Sequence, residues 1–91
     1  MHFTLSHQRQ AMGQQIQVTV EAGPGQSITE VTTVFDGFSI GDDLLAPGTT
    51  QYDRTFDGQS ATSGASHNLV VIAFDQNNSP ESATKIWTDQ I

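Results

Sequence analysis

The chain has 91 residues, of which 35% are hydrophobic, and this length fits one domain with one modest core. Its formal net charge is -7, from ten acidic and three basic residues. Because Arg9, Arg54 and Lys85 lie far apart, the sequence argues against a nucleic-acid interface and against an anionic membrane surface. It contains no cysteine, which excludes disulfides and thiolate chemistry. It also has no apolar window of about 18 residues, so no membrane insertion is predicted.

The N-terminal segment, residues 1–14, has the weakest pattern in the chain. Phe3 and Leu5 alternate with polar neighbours, which indicates a short first strand. The polar run over 7–15 predicts a connection. The predicted domain therefore covers residues 15–91, and the first strand has no firm boundary.

Strict alternation marks the next strand. Ile16, Val18 and Val20 alternate with polar residues over 15–22, which predicts a strand with one buried face. Gly23-Pro24-Gly25 then predicts a turn, because proline has no N–H to continue the ladder of hydrogen bonds.

A hairpin is predicted in the next part of the chain. A strand over 27–36 leads into Asp36-Gly37, a pair that tolerates positive φ at both positions and favours a tight reversal. A short strand over 38–40 follows, and a second reversal is predicted at 41–43. Leu44-Leu45 is expected to pack as a lid before the next turn.

The second half of the chain contains three predicted strands. The first covers 49–56 and ends at Asp57-Gly58, before a small polar loop. The most apolar run covers 67–75. It has apolar residues at both odd and even positions, and therefore on both faces, which indicates a central strand. A turn cluster over 76–80 precedes a final strand over 82–88. Six or seven short strands with turns every 8–12 residues are typical of a β-sandwich.

Two stretches resemble bacterial immunoglobulin-like domains of the fibronectin type III, cadherin and intimin kind. Residues 28–40 read ITEVTTVFDGFSI, and residues 64–84 read GASHNLVVIAFDQNNSPESAT. The resemblance implies an antiparallel Greek-key β-sandwich of about seven strands. It also implies a non-catalytic spacer, stalk or binding platform in a larger exported bacterial protein, at an extracellular, cell-surface or periplasmic location.

One sheet face is the candidate interface. Alternation places every second side chain of the apolar strand 67–75 in the core and the others outside. The resemblance places the strand 27–36 beside it, so that the outward side chains would form an apolar stripe for a neighbouring domain, another protein or a second copy. The alternative is that a loop, the N-terminal segment or Leu44-Leu45 covers this stripe. The candidate interface residues are Val34, Val70, Ile72 and Phe74, with Trp87 or Ile86 from the last strand.

Calcium binding is an alternative function. Ala73-Phe74-Asp75 resembles a calcium motif of cadherins, and the turn that follows resembles their linker. Calcium takes six to eight oxygen ligands, which Asp75, Asn77 and Asn78 would supply in part. The competing interpretation is that Asp75 caps the turn by accepting backbone N–H groups. No other cofactor is predicted.

The remaining chemical signals are weaker. The three histidines lack the short spacing of a zinc site, and the sequence has no Gly-x-Ser-x-Gly motif, so no enzyme is predicted. Carbohydrate modules present exposed aromatic side chains, and an exposed Trp87 would favour that alternative. The sequence thus predicts a non-catalytic interaction or spacer module, with carbohydrate-binding and calcium-binding accessory modules as alternatives.

Overall fold

The computed structural model describes residues 1–89, which form seven antiparallel strands in two sheets. A three-stranded sheet has the order β1-β2-β5, and a four-stranded sheet has the order β4-β3-β6-β7. The chain crosses between sheets from β2 to β3, from β4 to β5 and from β5 to β6, so the predicted Greek-key sandwich is confirmed. These residues form no helix, and so no helix that could cross a membrane. The strands are β1 (His2–Gln10), β2 (Gly13–Glu21), β3 (Ile28–Phe35), β4 (Phe38–Leu44), β5 (Gln51–Gln59), β6 (Ser66–Asp75) and β7 (Pro80–Thr88).

The core lies between the two sheets and follows the predicted alternation. Every second side chain of β2 and β6 is buried, and so is every second one of β3 from Val31 to Phe35, because successive residues of a strand point to opposite faces. A register shift between Ile28 and Glu30 interrupts the alternation at the start of β3. The neighbouring position of β3 and β6 is also confirmed, with Val31 opposite Ala73 and Thr33 opposite Val71. The buried apolar residues are Ile16, Val18, Val20, Ile28, Val31, Phe35, Tyr52, Phe56, Leu69, Val71, Ala73 and Trp87.

The first strand is longer than the sequence predicts. β1 runs to Gln10 and pairs with β2 along its whole length without a register shift. The prediction of a connection over 7–15 is therefore wrong. The second half of β1 is polar because β1 is an edge strand, and no apolar layer formed by residues 1–89 covers its outer face. The turn itself needs only Ala11 and Met12, with Gly13 at a φ of 98°.

The predicted reversal at 41–43 is also wrong, because β4 continues through these residues to Leu44. A glycine is required inside this strand for packing. A Cβ at Gly41 would lie 2.8 Å from Cε1 of Phe56 in the opposite sheet. The two aspartates that follow suit an edge strand, since charged side chains discourage pairing with another chain.

Two other boundaries test the interpretation of Asp-Gly pairs. Asp36 and Gly37 have φ values of 51° and 83° between β3 and β4, which confirms the predicted hairpin. Asp57 and Gly58 do not end a strand, because β5 continues to Gln59. The β2–β5 register shifts between Gln14 and Ile16, and this irregularity accommodates Gly58 at a φ of 69°.

The sandwich is elongated, with dimensions of 43 × 20 × 18 Å. Met1 lies at one end, which we name the first pole, where its ammonium contacts Glu81 at the start of β7. Asp89 lies at the other end, the second pole, where its backbone bonds the 60–65 loop. Eight residues of extended strand separate Glu81 from Asp89, or about 27 Å. Residues 1 and 89 therefore lie at opposite poles.

Candidate functional site

The outer face of the four-stranded sheet carries the apolar side chains that the sequence predicts there. Val34, Val70, Ile72 and Phe74 point away from the core and are partly exposed, and we name these four residues the outer stripe. Val34 lies directly opposite Val70 in the β3–β6 ladder. The predicted Leu44-Leu45 lid does not cover them, because the side chain of Leu44 is 81% exposed and Leu45 packs against the core instead.

The outer face of the three-stranded sheet has the opposite chemistry. Its side chains are glutamine, threonine, serine and acidic residues that bond one another along and across the strands. Gln15 donates to Asp57 at 2.9 Å, and Thr19 donates to Asp53 at 2.9 Å. The N-terminal segment belongs to this sheet, so it does not cover the outer stripe. The two broad faces of the sandwich thus differ in polarity.

Trp87 does not belong to the outer face, which corrects the prediction that it contributes there. Lys85 and Trp87 lie at the alternate positions of β7 that face the other sheet, and Trp87 is only 8% exposed. Its ring stacks on His7 at a centroid distance of 4.2 Å, and its indole N–H donates to Gln14 at 3.2 Å. Ile86, the other candidate from this strand, is 68% exposed. The exposed tryptophan that would favour carbohydrate binding is therefore missing.

The three candidate calcium ligands lie in the turn between β6 and β7. The Oδ1 atom of Asp75 accepts the backbone N–H groups of Asn77 and Ser79 at 2.8 and 3.0 Å. Asn78 has a φ of 60°, as expected in a tight turn. This is the geometry of the alternative interpretation, in which Asp75 caps the turn. Over residues 1–89, no group of three or more His, Cys, Asp or Glu residues is arranged to hold a metal ion.

The second pole contains a partly buried array of charges that the sequence did not reveal. His67 is 5% exposed and uses both ring nitrogens. Nδ1 lies 2.7 Å from Oδ2 of Asp36, and Nε2 lies 2.6 Å from Oδ2 of Asp89. Asp89 also accepts the backbone N–H of Thr62 at 3.0 Å. A single imidazole thus joins the β3–β4 turn to the end of β7.

These contacts shift the pKa values of the array in opposite directions. Burial alone lowers the pKa of His67, but the hydrogen bonds to Asp36 and Asp89 outweigh burial and raise it above 6.5. Burial alone raises the pKa of Asp89, but its bonds to His67 and Thr62 outweigh this and lower it below 3.8. The favoured state is an imidazolium between two carboxylates, since only the protonated ring can donate from both nitrogens.

A cleft of about 260 Å³ lies beside this array. It is lined by His7, Arg9, Gln14, Thr88 and Asp89. The Asp89 carboxylate on its wall is already bonded to His67 and Thr62. The Asp89 carboxylate is therefore not available as a free acid or base in this cleft.

A second polar cluster joins the two sheets at the edge formed by β4 and β5. Asp43 accepts the Tyr52 hydroxyl at 2.5 Å and the Arg54 guanidinium at 2.7 Å. Arg54 also lies over the ring of Phe56, 4.5 Å from its centroid. The bonds from Tyr52 and then Arg54 lower the pKa of Asp43. Burial and the nearby Asp43 raise the pKa of Tyr52.

The opposite edge of the sandwich has a regular seam between β1 and β7. The Met1 ammonium contacts Glu81, Lys85 Nζ donates to the Leu5 carbonyl at 3.3 Å, and His7 stacks on Trp87. Each contact joins residues 80 positions apart. The two strands therefore run side by side in the same direction, held by side chains.

Comparison with known proteins identifies the fold. No protein-family model matches the sequence, and no curated protein matches it. Among solved structures, the chain is similar to a fibronectin(III)-like module of CbhA from Clostridium thermocellum, with 21% identity over 96% of this chain and 97% of that chain. The TM-score is 0.53. The chain therefore has the fold of an immunoglobulin-like, fibronectin(III)-like β-sandwich, as the sequence predicted.

Proposed function

We propose that this chain is a non-catalytic spacer module of a larger exported bacterial protein. The observation that carries this proposal is the position of residues 1 and 89 at opposite poles of a sandwich 43 Å long. A chain that enters at one pole and leaves at the other sets its neighbours apart by the length of the module. The similarity to a module of CbhA supports this role by fold.

The side-chain contacts at the edges support a stiff module. The Asp43 cluster ties β4 to β5 at one edge, and the seam between β1 and β7 ties the other. Both edges join one sheet to the other, so bending the sandwich requires breaking polar contacts between sheets. The array around His67 fastens the end of β7 at the second pole. A spacer needs this resistance, because a flexible chain of 91 residues has no fixed end-to-end distance.

The test is the length of two copies joined in tandem. Two 91-residue chains joined by a short rigid linker are compared with one copy by small-angle X-ray scattering. The spacer function predicts a maximum dimension near twice 43 Å, because the copies are added pole to pole. A tandem that folds back to the length of one copy contradicts the proposal. A tandem carrying an inserted flexible Gly/Ser linker serves as the control, since it broadens the distribution without changing the modules.

We further propose that the outer stripe is where the module contacts a neighbouring domain. The contrast between the two outer faces favours this surface, because one face is polar and self-bonded while the other carries Val34, Val70, Ile72 and Phe74. Leu44 and Ile86 extend the apolar surface at 81% and 68% exposure. Apolar surface of this kind is typical of an interaction site.

The contact is tested by methyl NMR of the isolated module and of the same module joined to its natural neighbours. A contact at this face shifts the methyl signals of Val34, Val70 and Ile72. Ile72→Lys abolishes those differences, and Thr55→Lys on the polar face leaves them in place. Identical methyl spectra in the isolated and joined forms contradict the proposal.

A further inference from the structure

β1 has an outer edge with which no strand in the described part of the chain, residues 1–89, pairs. The Leu5 carbonyl accepts a hydrogen bond from Lys85 Nζ at 3.3 Å, so this carbonyl faces outward. In an antiparallel pair, the N–H and C=O of one residue point to the same side and alternate along the strand. Phe3, His7 and Arg9 therefore also direct their backbone groups to the outer edge.

Apart from the charge of Arg9 near its end, this edge lacks the features that normally discourage pairing with another chain. β1 has nine residues, no register shift against β2, and no Asp, Glu, Pro or Gly. Edge strands are usually protected by charges, prolines or bulges. The other three edge strands have such features: β4 contains Asp42 and Asp43, β5 contains Asp53 and Asp57, and β7 starts at Pro80.

Charge favours a second copy of this chain as the partner of β1. Each copy carries a net charge of -7, so two copies repel one another where acidic surfaces meet. β1 contains no acidic residue and includes Arg9, so it is the edge at which approach costs least. An antiparallel pair with full overlap places Ser6 opposite Ser6 of the second copy, on a two-fold axis. Such an interface is self-complementary and closes at two copies.

We propose that Lys85 keeps this edge closed to a second copy. Lys85 is the single lysine of the chain, and its ammonium lies at the centre of β1. A second β1 strand must displace Nζ from the Leu5 carbonyl and leave the ammonium unpaired beside the new ladder, which is unfavourable for a charged group. This role is independent of the spacer function.

The proposal is tested by the mass in solution of Lys85 variants. Wild type and Lys85→Arg, which keeps the cation, are expected at 9.8 kDa by light scattering at equal protein concentration. Lys85→Thr and Lys85→Ala are expected at twice 9.8 kDa. Circular dichroism establishes that each variant keeps the β-sheet spectrum. Folded Lys85→Thr and Lys85→Ala that both stay at the monomer mass overturn the proposal, as does a wild type that already pairs through β1.

A cysteine at position 6 identifies the surface that associates. The chain has no cysteine, so Ser6→Cys gives one thiol on the expected two-fold axis. A non-hydrogen-bonded pair of this kind brings Cα atoms to about 4.5 Å, within disulfide range. Oxidation is expected to cross-link Ser6→Cys only when combined with Lys85→Thr. Thr55→Cys on β5 is the control and is expected to remain uncross-linked. Doubled mass without cross-linking at position 6 overturns the assignment to β1.

Discussion

His67 Nε2 lies 2.6 Å from Oδ2 of Asp89, and this contact fastens the end of β7 to the start of β6. The other ring nitrogen lies 2.7 Å from Asp36 in the β3–β4 turn. A neutral imidazole has one N–H and can donate to only one carboxylate. When the imidazolium of His67 loses a proton, one of the two carboxylates faces a nitrogen lone pair. The array then keeps only one of the two hydrogen bonds that His67 donates.

The array predicts a stability maximum in mildly acidic solution. The raised pKa of His67 means that its contribution to the free energy of unfolding is fully present below 6.5 and is lost as pH rises through the folded-state pKa. The lowered pKa of Asp89 means that its contribution is present above 3.8 and is lost as pH falls through the folded-state value. The contribution of the array is expected to be largest between those limits, and the melting temperature is expected to decline on the alkaline side.

Substitution of each histidine identifies the source of that decline. His67→Gln is expected to remove the alkaline decline and to lower the melting temperature in mild acid. His7 acts in the opposite sense: burial, then the charge of Lys85, lower its pKa. Its contribution is thus lost as pH falls, and His7→Gln is expected to leave the alkaline decline in place. An NMR titration that places the His67 pKa below 6.5 would contradict this prediction.

Thr33→Val is expected to stabilise the protein. Thr33 is fully buried, and its hydroxyl has no hydrogen-bond partner among residues 1–89. Replacing this hydroxyl by a methyl group removes the cost of an unsatisfied polar atom, about 1 kcal/mol, and raises the melting temperature by about 4–8 °C. Thr32→Val on the same strand is the control, because its hydroxyl donates to Asp42 at 3.1 Å. An equal gain in both variants would mean that β propensity, and not the buried hydroxyl, is responsible.

Gly41→Ala is expected to destabilise the protein by about 1–3 kcal/mol, the usual cost of overpacking a core. The added Cβ would lie 2.8 Å from Cε1 of Phe56 and 2.9 Å from Nη1 of Arg54. Denaturant unfolding measures the loss. In a Phe56→Leu background the same substitution is expected to cost less, since the ring is gone. Equal costs in the two backgrounds would rule out the contact with Phe56 as the cause.

Asp43→Asn is expected to weaken the β4–β5 edge by about 1 kcal/mol, because the partly exposed pair with Arg54 is screened by solvent. The lowered pKa of Asp43 means that its contribution is present above 3.8 and is lost as pH falls. The difference in melting temperature between wild type and variant should therefore shrink in acid. Asp42→Asn, on the opposite side of β4, is the control. A difference that is constant with pH contradicts a role for the carboxylate charge.

The alternation of single residues was enough to predict the part of the core that β2, β3 and β6 supply. Val18, Val31 and Val71 each lie in a strand where buried and outward-facing residues alternate. This alternation is a local property, so it can be read from the sequence of each strand alone. The outer stripe follows from the same alternation. Its four members were predicted because β3 and β6 are neighbours, which the resemblance implied.

Features that depend on contacts between distant segments could not be predicted. Asp36, His67 and Asp89 are separated by 31 and 22 residues, so no local pattern joins them. Gly41 looked like a turn residue because its requirement comes from Phe56 across the core. Trp87 was placed on the wrong face because the final strand carries Ile86 and Trp87 side by side, and polarity alone does not decide which of two apolar neighbours is buried.

The position of residues 1 and 89 at opposite poles is tested most directly by pulsed electron paramagnetic resonance. The chain has no cysteine, so spin labels can be placed at two introduced cysteines. His2→Cys with Thr88→Cys spans the two poles, and Ser63→Cys with Thr88→Cys lies within the second pole. The spacer account predicts one narrow distance of about 20 Å or more for the first pair, from six residues of strand, and a shorter distance for the second. A first pair that is as short as the second would contradict it.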